Sequence, residues 1–110
     1  MLELLKKFNF KTLLLTRSLA EIVEAEFCYA DKNWEEGNKK FQYGIQLIRN
    51  GHYGVFFEGV ARTWYGEYLA KQGLNDHAKA EYSKALEVFQ TFENKTEVER
   101  VLKKRASING

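Results

Sequence analysis

RTWYGEYLAKQGLNDHAKAEYSKAL, running from Arg62 to Leu86, is the stretch that decides the fold. Before its centre, Ala61, Trp64, Tyr65, Tyr68 and Leu69 recur at spacings of three and four. After it, Ala78, Tyr82, Ala85, Leu86 and Phe89 do the same. That period belongs to a helix with one apolar stripe, not to a strand, whose period is two. Between the stripes lie Gln72, Gly73, Leu74 and Asn75, turn-forming in character, with Asn75 placed to cap a new helix. The stretch therefore reads as two helices joined by a tight turn.

Working outward, the same pattern continues. Leu15, Leu19, Ile22, Val23, Phe27 and Ala30 form one stripe, and Trp34, Gly37, Phe41, Gly44, Ile45 and Ile48 another. Phe57 extends the third stripe and Phe92 the fourth, while Val98, Val101, Leu102 and Ala106 make a shorter fifth. Asp31, Lys32 and Asn33 break the first two, and Asn33 is a good N-cap for a helix starting at Trp34. Gly51 is a helix stop. Thr96 with Glu99 fits a capping box for the last helix. Met1 to Phe8 reads as a short additional helix, or the tail of one, around Leu2, Leu5 and Phe8.

The stripes repeat. Ala25 and Gly66, Phe27 and Tyr68, Cys28 and Leu69, Gly37 and Ala78 are each 41 residues apart. So are Phe41 and Tyr82, Gly44 and Ala85, Ile45 and Leu86, and Ile48 and Phe89. Small residues sit over small ones and aromatics over aromatics. Two antiparallel helices pack most closely where side chains are small, so Gly66 and Ala78 are expected to face each other across the hairpin. Tyr82 is expected to fill the space against the next helix, and Ala85 to let that helix approach. Units of this kind bury their faces by stacking.

Composition bounds the function. At 110 residues, 45% apolar and 15% aromatic, the chain suits one folded domain. It has no proline, in keeping with long helices. Its net charge of +2 argues against a dedicated nucleic-acid binder. The basic run Lys103, Lys104, Arg105 ends the last stripe, where cations offset the helix dipole. Cys28 is the single cysteine, so no intrachain disulfide forms. The N-terminal apolar stretches are short and interrupted by lysines, which excludes a signal core or a membrane span. A cytoplasmic protein is the expectation.

At Gly66, Leu69, Gly73, Ala78, Tyr82 and Ala85 the chain resembles the tetratricopeptide repeat family. Tyr65 stands where the family has Leu, Leu69 where it has Tyr, and the proline after the second helix is absent. The first unit matches only at Ala25, Gly37, Phe41 and Gly44. The 41-residue spacing resembles the long-helix variant of bacterial signalling proteins. The resemblance implies an all-α fold: antiparallel helix pairs stacked as a short right-handed α-solenoid of about five helices. Repeat units would span about 12–51 and 52–93, with a closing helix at about 96–107. It also implies a concave face carrying Leu19, Ile22, Glu26, Tyr29 and Ala30, and in the second unit Val60, Thr63, Glu67, Ala70 and Lys71. Thr63 and Glu67 replace the Lys and Asn with which some relatives clamp a C-terminal carboxylate.

Catalytic chemistry finds little support. His52 and His77 have no partner at metal-ligand spacing, and suit surface or capping roles. Cys28, matched by Leu69, reads as a small buried apolar residue. Glu21, Glu24 and Glu26, like Glu35 and Glu36, read as solvated helix faces. The segment from Gly51 to Gly54 lacks the lysine and strand of a phosphate loop. Most aromatics are assigned to the core, with Tyr29 and Tyr43 near the surface.

The expected function is a protein–protein interaction module, not an enzyme, with no cofactor, metal, nucleic acid or membrane partner. Its partner, a peptide, helix or neighbouring domain, would meet Ile22, Glu26, Tyr29, Thr63, Glu67 and Lys71. The alternative is a ligand- or peptide-sensing regulatory domain with a pocket among Trp64, Tyr29 and Glu67. A helical-repeat nucleic-acid binder ranks below both. About three units are usually needed for a stable array. The expectation is therefore either the end of a longer array or a homodimer through an edge of Leu4, Leu5, Leu13 and Leu14, which otherwise fold back on the first helix.

Overall fold

The computed structural model describes residues 17–51 and 55–108. Among them there are five helices and no strand. Helix α1 covers residues 17–30. It is followed by α2 (Trp34–Gly51), α3 (Val55–Lys71), α4 (Asn75–Thr91) and α5 (Lys95–Ala106). The chain divides after Tyr53 into two compact units. The first holds the pair α1–α2, the second α3, α4 and α5. The expected Met1–Phe8 helix, the leucines at positions 4, 5, 13, 14 and 15, and His52 lie outside the described residues.

In the first unit the crossing is made by small residues on α2. A Cβ on Gly37 would stand 2.6 Å from Cε1 of Tyr29, and one on Gly44 would stand 3.0 Å from the Ser18 carbonyl oxygen. This approach decides which face of α1 is buried. Ser18, Ile22, Ala25 and Tyr29 turn inward. Among the described residues of the expected stripe only Ile22 is buried. Leu19, Val23, Ala30 and above all Phe27, at 68% exposure, point outward. The stripe of Leu19, Val23 and Phe27 is thus not the side that faces α2, where Ile22 and Tyr29 lie against the α2 glycines. Tyr29 and Phe41 lie in this core, their ring centroids 6.4 Å apart, and Trp34, exposed although placed on a stripe, has its centroid 5.6 Å from that of Tyr29. Phe41 is fully buried, worth on the order of 2–3 kcal/mol.

The second unit makes the same close crossing with its glycines on the first helix. A Cβ on Gly66 would meet Cε1 of Tyr82 at 2.6 Å, and one on Gly59 would meet Cζ of Phe89 at 2.9 Å. Tyr82 therefore fills the crossing of its own pair, not the gap to a following helix. Ala78, Ala85, Leu86 and Phe89 are buried beside it. Arg62, buried on α3, ties the pair together. It donates to Glu58 Oε2 at 3.1 Å and to Glu81 Oε2 on α4 at 2.8 Å. Phe57, Trp64, Phe92 and Leu102, all placed on stripes, are exposed, and Cys28 is half-buried.

Three helices end in one way. Lys32, Gly73 and Glu93 take φ of +62°, +80° and +53°. The next amide then reaches back five residues: Asn33 to Cys28, Leu74 to Leu69 and Asn94 to Phe89, at 2.8–3.0 Å. This satisfies the orphan carbonyls of each helix end. The starts differ from expectation. Leu74, not Asn75, holds the N-cap position of α4 and makes no side-chain cap. Asn94, not Thr96, caps α5, its Oδ1 accepting from the Glu97 amide at 3.2 Å.

Of the three left-handed positions only the second carries glycine, the residue that adopts this conformation without a Cβ penalty. Lys32→Gly and Glu93→Gly should each raise unfolding free energy, and Gly73→Ala lower it, by about 0.5–1 kcal/mol. Urea denaturation of the three variants checks this. Loss of stability in both glycine variants would contradict the left-handed turns.

Candidate functional site

The second unit presents a groove between α3 and α5. Helix α5 is polar and buries one residue fully, Val101. It is fixed at its start by the Asn94 cap and near its end by Arg105, which donates to Ser83 Oγ at 3.2 Å. In that position it leaves an open hollow of about 280 Å³ against α3. Val60, Thr63, Trp64 and Glu67 line one wall, Glu97, Arg100 and Lys104 the other.

The walls differ in chemistry. Trp64 stands 44% exposed, a large amphipathic ring with no place in the core. Thr63 is buried and its hydroxyl donates to the Gly59 carbonyl at 2.9 Å, so it shapes the floor. Glu67 and Lys104 pair across the groove at 2.6 Å. Arg100 meets Glu97 at 3.2 Å but keeps 59% of its side chain exposed. The groove thus joins an apolar ring to cations already oriented by carboxylates. Beneath Gly66, burial and the nearby Glu67 charge push the Tyr82 hydroxyl up from 10 to about 12.

The expected partner-binding residues separate. Thr63 and Glu67 belong to this groove, whereas Lys71 is exposed with its Nζ 5.1 Å from the Tyr68 ring centroid. In the first unit Ile22 is buried and Glu26 exposed. Tyr29, expected as a surface anchor, is buried at 4% exposure, and its hydroxyl donates to Asn38 Oδ1 at 2.7 Å. It is therefore a core residue. Tyr43 is exposed as expected, with the Arg17 guanidinium 6.0 Å from its ring centroid. The end-of-helix cations do more than offset a dipole, since Lys104 and Arg105 both bond outside α5. Trp64 and Glu67, expected to line a pocket with Tyr29, line this groove without it, and sequence reasoning missed Arg100 and Lys104 as groove residues. Helix α5 carries few apolar markers to orient it.

Among the described residues no cluster of His, Cys, Asp and Glu could hold a metal, and no helix is long and apolar enough to cross a membrane. His77 is exposed in the first turn of α4. Comparison with known proteins gives no match: no family model fits the chain, and neither a curated protein nor a solved structure matches it.

The Tyr82 hydroxyl is neutral in the folded chain at pH values where an exposed tyrosine ionises. Its contribution is whole below pH 10 and is lost as pH rises through about 12, an effect on the order of 2 kcal/mol. Tyr82→Phe should lose less stability than wild type between these pH values in urea titrations. Equal pH slopes would contradict this burial of the hydroxyl.

Proposed function

We propose that the chain is a helical-repeat binding module of tetratricopeptide type. It takes a segment of another protein in the α3–α5 groove, and Trp64 is the observation that carries the reading. A tryptophan nearly half exposed beside oriented charges gives a partner both apolar area and direction, and such residues anchor interfaces. The 41-residue equivalences support the repeat character: the left-handed residues Lys32 and Gly73 keep that spacing, as do their return bonds. The occupant that suits the walls is a peptide with an apolar side chain for Trp64 and a carboxylate for Arg100. Arg100 and Lys104 supply orientation, since ion pairs this exposed add only about 0–1 kcal/mol each.

The test is a displayed library of random peptides selected on the full chain. Selected peptides should carry an aromatic or aliphatic residue near an acidic one. Trp64→Ala should weaken them tenfold or more, about 1.4 kcal/mol. Peptides that bind wild type and Trp64→Ala equally would overturn the reading.

A further inference from the structure

The two crossings are built with opposite polarity, although their positions correspond at 41 residues. In the first unit the anion is on the first helix: Glu21 on α1 faces Lys40 on α2 at 4.0 Å, and Glu24 accepts from Lys40 at 2.8 Å. Forty-one residues on, the charges are exchanged, with Arg62 on α3 facing Glu81 on α4 at 2.8 Å. Both units bury a ring at the equivalent positions Phe41 and Tyr82, but the glycine seats differ. In α1–α2 the ring seated on glycine is on the first helix, with Tyr29 against Gly37; in α3–α4 it is on the second, with Tyr82 against Gly66.

We infer that this exchange of polarity is a pairing code that keeps each helix with its own partner, within one chain and against a second copy. Similar repeats risk trading helices, which yields swapped dimers and misfolded chains. Pairing α1 with α4 would set Glu21 against Glu81. It would also place the Cβ of Ala25 where Gly66 leaves room for the Tyr82 ring, and the Cβ of Ala78 where Gly37 leaves room for Tyr29. Pairing α3 with α2 would set Arg62, already buried, against Lys40. Each wrong pair therefore meets like charges, and one also meets two steric clashes. Correct pairs meet neither. Such repulsive elements set specificity even where the matching native contacts contribute little stability.

The test equalises the polarity in the full chain. R62E/E81R gives the second unit the polarity of the first, with carboxylates at 58 and 62 on α3 and the cation at 81 on α4. Adding A25G/A78G opens the two blocked sites. Tagged and untagged chains are unfolded together, refolded, diluted and captured by the tag, beside a control mixed only after folding. Wild type should give the same capture of untagged chain in both arms. The fourfold variant should give roughly tenfold more after co-refolding, the factor by which about 1.4 kcal/mol moves an equilibrium. Equal arms for that variant, with a native-like circular dichroism spectrum, would overturn the inference, as would trapped exchange in wild type. If the added glycines abolish folding, R62E/E81R alone is read in the same way, and equal arms for it count equally against the code.

Discussion

In each unit a tyrosine ring occupies the place where a Cβ would stand on the facing helix: Tyr82 over Gly66, and Tyr29 over Gly37. This contact sets the distance between the paired helices, and much else follows from that distance. Backbones that approach so closely put small residues beside the rings, while Ile22, Leu69 and Leu86 are buried with them. Ser18, Ala25, Ala78 and Ala85 are accordingly buried, and the stripe of Leu19, Val23 and Phe27 is turned away. The tyrosine hydroxyls are then carried into the core. That of Tyr29 finds Asn38, and that of Tyr82 stays neutral into alkaline solution.

The second unit carries this constraint to its surface. With Tyr82 seated on Gly66, α4 lies close on α3. Helix α5, anchored on α4 by Val101 and Arg105, reaches α3 through Lys104 and Glu67. Trp64 is left outside the crossing and beside α5. The groove is thus what remains when a close pair is joined by a third helix with few apolar residues of its own. Its polar wall is oriented from both sides, which favours recognition by direction and shape over raw affinity.

Much of this was legible in the sequence. Helical periods placed the described elements, and the small residues at Gly37, Gly44, Gly66 and Ala78 marked the crossings. The turn around Gly73 was visible because glycine announces a left-handed residue. The matching turns at Lys32 and Glu93 were not, because those residues adopt the conformation at a cost that only the return bonds explain. The orientation of α1 was misread for a physical reason. Leu19, Val23 and Phe27 make the stronger apolar stripe, but the α2 glycines seat Ile22 and Tyr29 on another side of the helix. Tyr29 lies off that stripe and reads as an anchor, and Trp64 lies on a stripe and also reads as a pocket residue; the structure buries the first and exposes the second in a groove. The exchanged charges of Glu21 with Lys40 and Arg62 with Glu81 became visible only once partners were known.

The most direct test of the ring-on-backbone contact is a double-mutant cycle on unfolding free energy, pairing Gly66→Ala with Tyr82→Ala. The account predicts that Gly66→Ala is costly in wild type and close to neutral or stabilising once the ring is removed, a coupling of about 1–3 kcal/mol. Additive effects would mean that Tyr82 does not rest on Gly66, and the close crossing would have to be abandoned.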